Sequence, residues 1–447
     1  MRLGRKRTVP LLFFILLTSL LRAEPLQLGL HDAVKLAIDN SLSLQRSAID
    51  LAQAGYSASR LWSEIFPSFN LSAGMTFLPA TPYLTDPGFQ YNQDMRSYTI
   101  NLGLSLNLNA SLRSSMRRIE LAYRSQLLNY EGAVQQLEIQ VIKDFLRLIT
   151  RQEYLAIMQE ALDLALVKLE QDRIARQNGL LSELLWLNSQ LSAETARYNL
   201  SDALNSYQNA LREFLALLGL DPDCDVEFTG SIEAIPLALD PEQLIEDHLP
   251  RRPDIIRQRQ TIERLELTQN INILSARSPT LSVSTAWRGF SSPLSPLQRQ
   301  GLNDPFSDSL SGSITLSIPI DSWIPGTRQN QNIRSGDAEI EKARLDLQST
   351  ETAAKTQIRS LISNLNNIQT SLDIARMRVE LARGTLEATE VGFRNGTVEF
   401  RELEDRRRDL TDARHRLLEV EFSQQSLLLD LAAALHIDWK TVARSVE

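Results

Sequence analysis

A chain of 447 residues with 18 Gly and 17 Pro has few points at which a regular element must break, so long uninterrupted elements are expected. The formal charge is −8, which makes nucleic acid an unfavourable partner, and the single Cys224 excludes an internal disulfide. Removing residues 1–23, a basic start (Arg2, Arg5, Lys6, Arg7) followed by an apolar run from Val9 to Leu21, takes the charge from −8 to −13 because Arg22 leaves too. That segment reads as an export signal with Ala23 at the cleavage point, since its apolar run is shorter than the ~20 residues a membrane-spanning helix needs.

In chain order, the spacing predicts a helix from His31 to Glu64, ended by Pro67. Phe69 to Phe77 alternates apolar with small or polar residues and predicts a strand. Leu78 to Arg96, with Pro79, Pro82, Pro87 and Gly88, predicts a loop, and Ile100 to Leu108 predicts the partner strand. From Leu112 to Arg176 there is no Pro and one Gly, while Leu127, Val134, Val141, Leu148, Leu155, Leu162 and Leu169 recur every seventh residue. This is a coiled-coil seam on a helix roughly 100 Å long. Asn178-Gly179 turns the chain, and a helix returns from Ser182 to Leu218. After an irregular stretch containing Pro236, a helix interrupted near Pro250 to Asp254 runs from Pro241 to Arg277. The summed lengths of the two shorter helices, Ser182 to Leu218 and Pro241 to Arg277, suggest that short helices stack end to end beside each long one.

The order then repeats. Leu281 to Trp287 and Ile314 to Ile320 predict strands around a loop from Gly289 to Asp308. A second long helix is predicted from Gln329 to Phe393, with Ile358, Leu361, Leu365, Ile368, Leu372, Ala375, Val379, Ala382 and Leu386 stepping by three and four. Asn395-Gly396 turns into a last helix that ends near Leu435. Gly179 and Gly396 lie about 217 residues apart, and Pro67 and Pro279 about 212. The chain therefore divides into a signal (1–23), a first unit (24–230) and a duplicate (231–447), each made of a helix, two strands and a long helical hairpin. Beyond the signal no apolar run reaches membrane-helix length, so membrane contact falls to the strands. Four strands are too few to close a barrel, which implies association of several chains. Phe77, Tyr98 and Trp287 at strand ends suit either an aromatic girdle or ordinary packing.

Over its whole length after the signal the chain resembles the bacterial outer membrane efflux protein family, the TolC-like channels. The resemblance rests on Leu28-x-Leu30 with Asp32-Ala33-Val34 and Asn40, on Pro67 and Pro279 before strands, and on Arg252-Pro253-Asp254-Ile255. Pro319-Ile320, the two Asn-Gly turns and Leu218-Gly219 complete it. It implies a mainly α fold with a β-barrel part: a homotrimer whose protomers each give four strands to a twelve-stranded barrel in outer membrane lipid, above a periplasmic α-helical tunnel. It further implies an outer membrane duct of a tripartite efflux or type I secretion system, fed by a periplasmic adaptor and an inner-membrane pump of RND or ABC type, with no enzyme activity, cofactor or metal. The sequence departs from the family where His436 replaces a frequent Gly, and where Phe393 and Arg176 stand three residues before the turn glycines in place of Tyr.

In the family, carboxylates six and nine residues beyond the second turn Gly ring the tunnel entrance. Here those positions hold Glu402 and Asp405, one helical turn apart; the first repeat has Leu185 and Asn188 instead. The competing reading is a solvated charged face, because Arg401, Arg406, Arg407 and Arg408 surround them. A periplasmic coiled-coil adaptor and an exported enzyme on a helical scaffold are the alternative functions. The first would need a β-rich half and the second a reactive cluster, and the sequence shows neither.

Overall fold

The computed structural model describes residues 26–78, 82–85, 88–91, 95–224, 226–228, 240–291 and 306–437. The signal segment, parts of the first strand-connecting loop, most of the second and the chain beyond 437 lie outside the described residues. The rest forms two compact units, the first drawn from the stretch up to Asp39 together with Asp144–Ile232, the second from Asn40–Lys143 and the chain from Glu233 onward.

In the first unit, β1 (Leu26–Leu28) pairs in parallel with β6 (Val226–Phe228). Helix α1 (Leu30–Asn40) buries Ala33 and Ala37, and the helical hairpin is the C-terminal half of α3 (Leu112–Gln177) with α4 (Glu183–Leu217). Phe145, Phe214 and Phe228 meet with ring centroids 5.6–6.3 Å apart, so each element brings one ring to a common core. The β1–β6 pair is absent from the sequence reading because three residues are too few to show a period of two.

In the second unit the predicted helix from His31 to Glu64 is broken: α1 ends at Asn40, and α2 (Leu42–Ser59) starts afresh because the Ser41 hydroxyl accepts from the Leu44 N–H. A turn of 3₁₀-helix, Leu61–Ile65, follows. The strands β2 (Ser68–Leu78), β5 (Met95–Leu108), β7 (Thr280–Ser291) and β8 (Phe306–Ser317) form one antiparallel sheet in that order. They are longer than predicted at the loop ends. The stretch read as loop between β2 and β5 contains its own small pair, β3 (Pro82–Thr85) with β4 (Gly88–Tyr91), and Pro319 falls just beyond β8 rather than inside it.

The register of the sheet sorts most of its side chains by face. Phe69, Leu71 and Met75 stand opposite Leu104, Leu102 and Tyr98, and Leu102 stands opposite Trp287, which faces Leu310. The other face carries Ser68, Ser72, Ser105, Ser282, Ser284, Ser313 and their neighbours, with cross-strand hydroxyl pairs Ser68–Ser105 and Ser284–Ser313 both at 2.7 Å. The apolar face is bare: Leu310 and Ile314 are 78% and 77% exposed. Phe77, Tyr98 and Trp287 share it, and the Trp287 indole N–H donates to Asp308 at 3.2 Å.

Below the sheet, α7 (Arg328–Arg394) is flanked by α5 (Pro241–His248) and α6 (Pro253–Arg277) along its first half and by α8 (Phe400–Leu435) along its second. End-to-end stacking is thus real on α7, but the helices that stack are α5 with α6 and α8; α4 packs on α3. At the junction Ile245, Ile358, Ile362, Leu365, Leu428, Leu431 and Leu435 form one core, which absorbs the predicted a/d seam of α7. Gly336 is needed where α6 crosses, because a Cβ there would meet the Gln269 side chain at 2.0 Å, and the buried Gln269 amide donates to the Ile333 carbonyl at 2.6 Å. Arg252-Pro253-Asp254 proves to be a helix-start clamp. Arg252, buried, donates to both carboxylate oxygens of Asp254 (3.0 and 2.7 Å) and to Gln357 on α7 (3.1 Å). Burial pushes the Asp254 carboxyl up, but Arg252 outweighs it and holds it below the ordinary carboxylate range. With its folded value depressed, this group stabilises the clamp at neutral pH, and the contribution disappears as pH falls through that lowered value.

Candidate pore-entrance site

Both helical hairpins turn through the same backbone device. After α3, Gly179 (φ 73°) sends its N–H to the Arg176 carbonyl and Leu180 sends its N–H to Ala175. After α7, Gly396 (φ 72°) bonds to Phe393 and Thr397 to Gly392. The device recurs at the end of α4 on Gly219, and at the end of α8 on His436, a non-glycine residue held at φ 54°. Because Gly219 and His436 occupy matching places in the two repeats, the duplication persists in the backbone after the glycine has gone. The His436 ring also bonds to the Gln135 side chain of α3, which helps to hold the strained conformation.

Glu402 and Asp405 lie in the first two turns of α8, and both are exposed, on either side of the buried Leu403. Neither carboxylate bonds to another described residue. The neighbouring cations are directed elsewhere: Arg406 pairs with Asp409 at 2.9 Å, and Arg407 with Glu404 at 3.3 Å and across the hairpin with Glu390 at 3.6 Å. Two of the four arginines invoked by the solvated-face reading are thereby removed from Glu402 and Asp405.

Outward faces of the tip helices differ in kind. On α4 the exposed Leu184, Leu187, Leu191 and Tyr198 follow heptad spacing, and Leu187 and Leu191 stand two residues, about 200° round the helix, from buried Ser189 and Ala193. Exposed Leu164 and Ile174 on α3 stand in the same relation to buried Leu162 and Asp172, and exposed Ile374, Met377 and Val391 on α7 to buried Leu372, Ala375 and Thr389. These three helices carry a second seam opposite the one that closes their hairpin. The outward face of α8 holds Arg401, Glu402, Asp405, Arg408 and Asp409 instead, so α8 is the tip helix built to face water.

Inside the first hairpin lies a cluster that the sequence reading missed. Asp172, 5% exposed, pairs with Lys168 at 2.6 Å and accepts from the hydroxyl of buried Ser189 on α4. Arg176 stacks over the Trp186 ring at 4.0 Å and pairs with Glu183 at 2.9 Å. The signal was present: Asp172 continues the Leu162, Ala165, Leu169 steps of the seam, a place where a lone carboxylate demands a partner. In the second repeat the matching residues are Thr385, Thr389 and Arg406, so the cluster was not kept in both copies.

A sheet greasy on one face and hydroxylic on the other, joined to long helical hairpins, is the architecture of an outer membrane channel protein. The chain belongs to the outer membrane efflux protein family, whose model matches it twice, over residues 33–220 and 244–435. Among solved structures, a membrane protein from Pseudomonas aeruginosa is similar over 91% of this chain and 93% of its own (20% identity, TM-score 0.71). The Campylobacter jejuni CmeC outer membrane channel is similar over 94% and 90% (16% identity, TM-score 0.71). The outer membrane protein VceC from Vibrio cholerae is similar over 92% and 96% (18% identity, TM-score 0.69). No curated protein matches the sequence.

Proposed function

We propose that this outer membrane efflux protein works as a homotrimeric, passive export duct, loaded by a periplasmic adaptor and an inner-membrane pump of RND or ABC type. The observation that carries the reading is the sheet. Its apolar face suits lipid and its hydroxyl face suits water, yet β2 and β8 leave two unpaired edges, which lipid does not tolerate. With four alternating strands, β2 and β8 run in opposite directions, so β8 of one copy meets β2 of the next antiparallel and the ring closes without a parallel joint. The second seams on α3, α4 and α7 give the tunnel helices neighbours on both sides. The charged face of α8 then lines water, and three copies of Glu402 and Asp405 form the acidic ring at the periplasmic entrance, just after the turn at Asn395-Gly396. A ring of like carboxylates in a narrow passage favours cations.

Purified full-length protein is expected to size as a trimer in detergent by light scattering and to open cation-preferring channels in planar bilayers. Glu402→Gln with Asp405→Asn is expected to lower the cation preference and the block by multivalent cations, with trimer size unchanged. A stable monomer with full strand content would defeat the duct, whereas a trimer whose reversal potential ignores the double substitution would return the two carboxylates to an ordinary solvated face.

A further inference from the structure

Among the described residues of the four-stranded sheet, the hydroxyl face carries one charged side chain, Arg288 of β7. It stands between Asn101 of β5 and Ser309 of β8. Its Nε–H donates to the Asn101 side-chain carbonyl at 3.0 Å, and the Asn101 amide donates onward to the Ser72 hydroxyl of β2 at 3.4 Å. The chain of contacts crosses three strands and fixes the guanidinium through its inner nitrogen. Both terminal amino groups stay unbonded to any described residue, and no carboxylate of a described residue lies within ion-pair distance. A fixed guanidinium with its outer fork free, in a wall of hydroxyls, is the geometry that receives a carboxylate, phosphate or sulfate through two parallel hydrogen bonds.

We propose that Arg288 forms an anion-attracting collar inside the barrel, opposite in sign to the acidic ring at the other end of the duct, and that it selects for solutes carrying carboxylate, phosphate or sulfate groups. The proposal rests on the trimeric duct, which alone brings three copies together around one lumen. Strands ~4.8 Å apart and tilted by ~40° give a twelve-stranded barrel a radius of roughly 12 Å. An arginine reaches about half of that, so three fixed positive charges sit roughly 6 Å from the axis. In water at about 0.1 M salt such a ring concentrates a monovalent anion about fivefold at its centre. The channel therefore has a cationic collar in its barrel and an anionic ring at its entrance, and each is read by a separate substitution.

The test uses the full-length protein in planar bilayers, with the reversal potential in a potassium chloride gradient and the block by sulfate and by inorganic phosphate as readouts. Arg288→Gln is expected to reduce chloride permeability relative to potassium by at least about fivefold, because the ring that draws chloride in also repels potassium, and to abolish block by sulfate and by phosphate, while Arg288→Lys retains much of the permeability effect. Asn101→Asp places a carboxylate against the guanidinium and is expected to imitate Arg288→Gln with the arginine still present, which guards against loss of folding in either variant. Open channels whose selectivity and sulfate block are unchanged in both Arg288→Gln and Asn101→Asp would overturn the collar. Absence of conductance in the unaltered protein would overturn the duct reading, and the collar with it.

Discussion

Replacing Asp172 by Ala destabilises the first helical hairpin by about 3–5 kcal/mol, a larger loss than any surface change in the same helices would bring. The reason lies in what remains behind. Lys168, its side chain mostly buried, loses its ion pair with Asp172, and the Ser189 hydroxyl, 1% exposed as a residue, loses the carboxylate it bonds to. Asp172→Asn keeps an acceptor for Ser189 but removes the charge, and falls between the parent and the alanine variant. Lys168→Met combined with Asp172→Leu restores most of the stability, because a packed apolar pair avoids the desolvation of both ions. Amide hydrogen exchange across residues 160–195 is the measurement: protection in Asp172→Ala drops by roughly a hundred- to several-thousandfold there, at 1.4 kcal/mol per factor of ten. Protection within a factor of three of the parent would show that solvent already reaches the cluster and that the pair is not a structural tie. The cluster matters beyond stability because its neighbour, the Arg176–Trp186 stack, sits at the hairpin tip, where the first repeat shows Leu180 and Leu184 to solvent.

How much of this was legible in the sequence depends on the length of the pattern involved. The long helices and their turns were, because seven-residue spacing accumulates over six heptads from Leu127 to Leu169 and each Asn-Gly pair ends a run that nothing else interrupts. The duplication was legible even through divergence: His436 stands where Gly219 stands, and the backbone there still bends to the left. The break between α1 and α2 was missed because Ser41 ends nothing by composition; its cap acts only once the next turn is formed. The sequence pattern ends the strand at Trp287, before Arg288, because Gly289 and the prolines that follow resemble the start of a loop. The pairing shows β7 continuing to Ser291, which moves Arg288 from a loop edge to the wall of the hydroxyl face. The candidacy of Glu402 and Asp405 comes from the resemblance alone, while the direction of Arg406 and Arg407 away from them is visible only in the structure.

Two adjacent residues on β8 give the sharpest contrast between the faces of the sheet. Ile314→Arg is expected to abolish accumulation of the protein in the outer membrane, whereas Ser313→Arg, one residue earlier, is expected to leave it in place. Ile314 is paired with Val283 on the bare apolar face, and Ser313 with Ser284 on the hydroxyl face. An arginine facing the middle of the hydrocarbon costs about 2–4 kcal/mol per copy, and the proposed trimer would carry that cost three times. The same side chain on the lumen side meets water and gives up only the Ser284–Ser313 hydroxyl pair, worth about 1 kcal/mol. The experiment compares the two variants by membrane fractionation and by trimer content after mild detergent extraction. Normal insertion of Ile314→Arg together with loss of Ser313→Arg would mean that the hydroxyl face meets lipid. That outcome would exchange the inside and outside of the barrel, and with it the placement of Arg288.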